Sequence, residues 1–301
     1  LGRKRGKLNY NEFIEKVREG LSDRLKPYYE IVLKKVVKNN NIYRYGLSAF
    51  PTGSNKTGKV SRIVYLEDFY QEYQENQKYN LENIVEELSG ILLNFDTPEF
   101  KETDYTDIDK IKDRIIFELV NYKMNEERLS GRPFIKIMDL AIIFAFVATD
   151  LGRDFGVVHI TDEMANNFGL TKNEIWDIAK INTPKLLEAD IIPMSSFVPG
   201  EVADTETEEM YILCNKKKAG GAGVLLYDKI LEELSSKLES DLYILPSSIH
   251  ETIIIRADKD KNISDLQDMV KNINNTVVST EDILSDKVYH YIRSNRELKI
   301  A

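Results

Sequence analysis

Cysteine is nearly absent. Cys214 is the only one in 301 residues, so no disulfide can form within the chain and no cysteine-rich zinc site can be built. Histidine is almost as scarce: His159, His250 and His290 leave little material for an imidazole-based metal centre. Positive charge is in deficit, with 41 Lys and Arg against 50 Asp and Glu and a formal net charge of −9. Broad nucleic-acid binding needs a basic face that displaces condensed counterions, so this balance argues against nucleic acid as a partner. Long apolar runs are missing too. The most apolar uninterrupted stretch, Leu140–Ala148, covers nine residues, against about 20 for a membrane-spanning helix. The basic start, Leu1-Gly2-Arg3-Lys4-Arg5-Gly6-Lys7, has no apolar run behind it and does not read as a signal peptide. These shortages lead to the expectation of a soluble cytoplasmic protein with no membrane association.

What the chain does have is enough apolar material, 42% of residues, to bury a core. Its length suggests more than one compact unit. Phe13, Ile14, Val17, Leu21 and Leu25 recur at helical spacing between Asn9 and Lys26, and Pro27 ends that helix. Strand-like runs at Tyr28–Val37 and Ile42–Phe50 flank the turn Asn39-Asn40-Asn41, and a third, Val60–Leu66, follows the loop Pro51–Lys59. Helical stretches at Glu67–Gln77 and Leu81–Asn94 complete an α-β-β-β-α-α unit. Beyond an acidic stretch, Asp96–Asp109, the runs Ile115–Lys123, Phe134–Thr149 and Gly156–Ile160 read as strands. Asp139 is the only charge between Ile137 and Ala148, as in a strand covered on both faces. Thr171 with Glu174 forms a capping box for a helix that Pro184 should bound. After the acidic run Glu201–Glu209, strands are expected at Met210–Asn215, Gly223–Tyr227, Asp241–Leu245 and His250–Arg256. Helices are expected over Asp228–Lys237 and after Ser264, and a closing hairpin turns at Asn295. The pattern predicts an α+β protein of two or three subdomains (residues 8–95, 96–200 and 205–301) built on mainly antiparallel sheets, with helices packed on one face.

Several motifs invite a chemical reading. Gly53–Lys59 matches the spacing of a phosphate-binding loop, with Lys56 and Lys59 as candidate ligands, but Val60 stands where magnesium needs a hydroxyl and a strand follows instead of a helix. Lys216 and Lys217, in the turn Lys216–Gly223, are the second candidate pair for phosphate, though solvated lysines on a glycine turn explain them equally well. Ser248, His250 and Glu251 contain the ingredients of nucleophilic catalysis, and Ser248 and His250 would share a face if that stretch is extended. No G-x-S-x-G surrounds them, and Pro246-Ser247 reads as a turn. Asp139 is the fourth candidate; a carboxylate in an apolar strand needs a partner, for which Arg114 or Arg132 is the expected one. Asp258–Asn262 opens like a calcium loop but has Ile263 in place of the required glycine. No metal or cofactor is implied. The leading reading is a non-catalytic binding or adaptor protein, with sixteen tyrosines to anchor another protein as partner. The alternatives are a hydrolase-like enzyme using Ser248 and His250, or a phosphate or nucleotide binder at a Lys/Gly loop.

Some strings are more individual: Asp139-Leu140-Ala141, Asn182-Thr183-Pro184, Met210–Lys216, Gly221-Ala222 with Leu225-Leu226-Tyr227, Leu245–Glu251 and Leu284-Ser285-Asp286. Together they resemble an uncharacterised bacterial family of similar length, known only as a domain of unknown function. The resemblance covers most of the chain from about residue 8 and is strongest after residue 130. It implies an intracellular bacterial protein. Cys214 stands where that family is expected to carry threonine, which argues against a required thiol. No reaction, ligand or partner comes with the resemblance.

Overall fold

A computed structural model describes residues 7–54, 63–76, 78–93, 106–150, 155–197, 210–258 and 262–301. The chain forms an α+β fold that divides into two compact units, Leu1–Lys38 with Ile42–Thr103, and Asn39–Asn41 with Asp104–Ala301. Residues 96–301, expected as a central and a C-terminal subdomain, therefore fall almost entirely within one unit. No helix among the described residues is long and apolar enough to cross a membrane.

The first unit follows the predicted element order. Helix α1 (Tyr10–Leu25) starts at Asn9, whose side chain accepts from the Glu12 amide while Glu12 accepts from the Asn9 amide, closing a capping box. Its apolar stripe of Phe13, Val17 and Leu21 is fully buried. Strands β1 (Tyr29–Val37) and β2 (Tyr43–Pro51) pair antiparallel along their whole length, and the short β3 (Val64–Tyr65) pairs with β2 at Gly46 and Leu47. Helices α2 (Glu67–Glu75) and α3 (Leu81–Leu93) follow. The core joins the α1 stripe to Ile84 and Leu88 of α3 and Leu47 of β2.

The second unit is built around one strand. After a single turn, α4 (Ile108–Ile111), come β4 (Ile115–Asn121), the short α5 (Glu126–Leu129), β5 (Phe134–Ile137), β6 (Leu140–Asp150) and β7 (Phe155–His159). Strand β6 pairs antiparallel with β4 on one side, and with β5 and β7 on the other. Leu140, Ile142, Phe144 and Phe146 enter the main core on one face. Ala141, Ile143, Ala145 and Val147 fill two smaller clusters on the other. That two-faced burial is why β6 reads as an unbroken apolar run. The expected single strand Phe134–Thr149 is in fact a hairpin. Ile137 pairs with Leu140 across a two-residue turn of Met138 and Asp139, with Met138 at φ +52°. The sequence concealed the turn because Met138, which takes the positive φ, is not a usual turn former and no glycine follows Asp139.

Helices α6 (Asp162–Phe168) and α7 (Lys172–Leu186) come next, with Thr171 and Glu174 forming the predicted box. Pro184 does not bound α7, which runs on to Leu186; a proline in the final turn costs one hydrogen bond and does not require a break. Helix α7 packs on β4. There the outward-pointing Phe117 amide donates to Thr183 Oγ1 at 3.0 Å, and the same hydroxyl donates to the Ala179 carbonyl at 2.6 Å.

The rest of the unit supplies a six-stranded antiparallel sheet. It contains β8 (Ala189–Pro193), β9 (Met210–Asn215), β10 (Leu242–Leu245), β11 (Thr252–Arg256), β12 (Tyr289–Ile292) and β13 (Glu297–Ile300), in the order 13-12-10-11-9-8. Helices α8 (Ile230–Lys237) and α9 (Ile263–Thr276) accompany it. Asn262, and not Ser264, caps α9. The expected strand Gly223–Tyr227 is a 3-10 turn over Gly221–Leu226. Its glycines allow close approach: a Cβ on Gly221 would lie 2.1 Å from the His250 carbonyl oxygen. Leu213, Val224, Leu242, Ile244, Ile254 and Tyr289 share a single core with Phe117 and β6. Both sheets thus belong to one hydrophobic body.

Replacing Thr183 with valine keeps the shape but leaves the buried Phe117 amide without an acceptor. The expected loss is about 1–3 kcal/mol of unfolding free energy by urea titration, with Thr183→Ser retaining most of the stability. A T183V protein as stable as the parent would show that the bond contributes nothing.

Candidate functional site

Strand alternation gives β4 two different faces. Phe117 and Leu119 enter the main core, while Ile116, Glu118 and Val120 face the other way. Glu118 is therefore carried, with its side chain only 18% exposed, among apolar neighbours. Three cationic or ionisable groups meet it there. His159, at the end of β7, places Nε2 2.9 Å from Glu118 Oε2. Arg128, on α5, places Nη2 2.9 Å from the same His159 nitrogen. Arg132 interacts electrostatically with Glu118, and its Nη1 is buried with no hydrogen-bond partner among the described residues. Burial alone would push the Glu118 carboxyl up. The hydrogen bond and charge of His159, then the charges of Arg128 and His250, outweigh burial and hold it below the usual carboxylate range. Burial pulls both arginines down, against the opposing pull of Glu118. His159 Nε2 cannot serve both neighbours at once: protonated, it donates to Glu118; unprotonated, it accepts from Arg128.

A network of buried amides holds this cluster in place. Asn39 Oδ1 accepts from Arg128 Nη1 at 3.1 Å, and Asn39 Nδ2 donates to the Glu281 carbonyl. Asn40, at φ +57°, donates to the carbonyls of Thr280 and Ile283 and exchanges hydrogen bonds with Asn125. Asn41 Oδ1 accepts from the Arg128 amide. The sequence marked Asn39–Asn41 only as a turn. Three consecutive asparagines exceed what a turn needs, and that surplus was the available signal.

Those of the predicted site residues that are described do not converge. Ser248 Oγ accepts from the His250 backbone amide at 3.1 Å, within a loop that precedes β11, so the two side chains do not share a strand face. The His250 ring pairs with Asp282 Oδ1 at 3.3 Å. Glu251 is exposed. Asp139 lies in its hairpin turn, where it accepts from Ser285 Oγ at 2.6 Å and the Tyr289 hydroxyl at 2.7 Å; these hydroxyls, and not Arg114 or Arg132, are its hydrogen-bond partners. Burial and the neighbouring Asp139 charge push the Tyr289 phenol well up. Lys216 and Lys217 pair with Glu188 and Asp150, at 2.7 and 2.6 Å. Lys56 and Lys59 lie outside the described residues. Among the described residues no three His, Cys, Asp or Glu side chains are grouped as a metal ion would need. Tyr211, Tyr227, Tyr289 and Tyr291 are buried, whereas Tyr28 is 75% exposed.

A hollow opens on the Phe117 side of β4. It has a volume of about 380 Å³ and is lined by Trp176, Tyr227 and Tyr291, with Ile142, Leu225 and Leu298 completing the apolar lining. Trp176 packs edge-on against Phe117 at 5.1 Å, and Phe117 in turn against Tyr227 at 6.1 Å, which holds the rings apart. The Tyr227 hydroxyl is turned inward, donating to the Leu187 carbonyl at 2.7 Å. Lys180, Lys229, Arg296, Asp228 and Glu232 also line the hollow. Arg296 and Glu232 neutralise each other at 2.6 Å. Lys180 and Lys229 make no ion pair with a described residue.

Because the Glu118 carboxyl is held down in the folded state, its stabilisation is fully present above the ordinary value of 4.5 and is lost as pH falls through the lower folded value. Glu118→Gln removes that dependence and leaves two guanidiniums facing a neutral amide. At pH 7 the variant is expected to be less stable by roughly 2 kcal/mol, with a flatter acid limb in stability measured against pH. An unchanged acid limb would remove Glu118 from the account.

No curated protein and no solved structure matches the chain. The model of one family of unknown function (DUF5688) matches residues 10–293, so the chain belongs to that family.

Proposed function

We propose that the protein is a non-catalytic binding protein and that the hollow beside Trp176 takes its ligand. The observation that carries this reading is the hollow itself: three aromatic residues, two of them packed on Phe117, line a space of about 380 Å³. That volume falls in the range of small-molecule sites, which are mostly apolar with a few polar groups at fixed positions. The hydrolase reading has less support, since the Ser248 hydroxyl makes no hydrogen bond to the His250 ring, whose Nδ1 has no hydrogen-bond partner among the described residues. The Glu118 cluster is better read as a support for the fold, because its groups pair chiefly with one another and with the buried asparagines.

Trp176 is the only tryptophan in the chain, so its emission reports directly on the hollow. Titration with N-phenyl-1-naphthylamine, a neutral aromatic probe, is expected to give saturable energy transfer from Trp176 at one probe per chain. Leu298→Gln replaces an apolar wall residue at nearly constant volume and is expected to weaken that binding about threefold to tenfold. Transfer that fails to saturate, or equal affinity in the L298Q variant, would place the ligand elsewhere.

A further inference from the structure

If the hollow is the binding site, its lining also specifies the ligand's charge. Lys180 follows Trp176 by four residues on α7, so the two side chains lie on the same helix face, a ring below and an ammonium beside it. Lys229, also in the lining, precedes α8, where no side chain caps the first amides of that helix and the positive end of its dipole adds to the lysine charge. The remaining charges at the hollow are Arg296, Glu232 and Asp228. Arg296 and Glu232 cancel in their ion pair, so two lysines stand against the single carboxylate Asp228. In a chain with a net charge of −9, this is a local reversal of sign. We propose that the hollow selects a flat, apolar molecule carrying one anionic group, such as an aryl carboxylate or sulfonate. The rings take the body, and Lys180 and Lys229 read the charge.

A pair of probes isolates that charge. 1-Anilinonaphthalene-8-sulfonate has the ring system of N-phenyl-1-naphthylamine plus one sulfonate. With the full chain at low ionic strength, the sulfonate is expected to bind about fivefold or more tighter than the neutral probe, both followed by energy transfer from Trp176. In the double variant Lys180→Gln/Lys229→Gln, that ratio is expected to fall to about one. Both substitutions lie on exposed positions, and an unchanged thermal midpoint would confirm that folding is intact. Equal affinities in the parent protein, or a ratio that survives in the double variant, would overturn the charge selectivity while leaving the hollow as a binding site. Failure of both probes to bind would overturn the hollow along with it.

Discussion

A carboxylate carried below the surface keeps its charge only if cations are brought to it, and meeting that requirement at Glu118 ties together much of the second unit. The histidine comes from the end of β7, one arginine from α5 and the other from the segment just after it. Arg128 is fixed by Asn39, and the asparagines are fixed by the carbonyls of Thr280, Glu281 and Ile283. The segment that supplies those carbonyls also contributes Asp282, which orients His250. A single buried charge thus sets the positions of residues far apart in the chain through contacts that each satisfy a donor or an acceptor.

The same strand separates this polar cluster from the hollow. Glu118 and Phe117 are neighbours in sequence and point to opposite faces, so β4 carries a charge network behind and an aromatic wall in front. The network restrains the strand, and the strand positions the ring that Trp176 and Tyr227 pack against. Rigidity at such a wall has a direct bearing on binding, because rings already held apart lose little freedom when a ligand enters between them.

Much of the fold was legible where local chemistry decides structure. The Asn9 and Thr171 capping boxes, the α1 stripe and the closing hairpin all follow from spacing and side-chain type. Reading failed where tertiary contacts decide. The Met138-Asp139 turn puts a methionine at its positive-φ position with no glycine beside it, and its aspartate is held by hydroxyls from Ser285 and Tyr289. Gly223–Tyr227 looked extended because nothing local shows that the segment from Gly221 must tuck against the His250 carbonyl. Ser248 and His250 looked paired because an alternating pattern was extended two residues too far, past the start of β11 at Thr252. Apart from the run Asn39–Asn41 that braces it, the Glu118 cluster has no signature in the sequence, and the hollow has none. Their members lie up to about 160 residues apart, and each is an ordinary choice at its own position.

The contact between Thr183 and the Phe117 amide reaches beyond stability. A strand at the margin of a sheet ordinarily offers its outward amides to any extended segment that drifts past, including one from another copy of the same protein. With α7 lying over β4 and a hydroxyl occupying one of those amides, that margin is closed to recruitment. Growth of the sheet from one molecule into the next along β4 would first require the helix to peel away, exposing buried Ile175 and Ala179 to water.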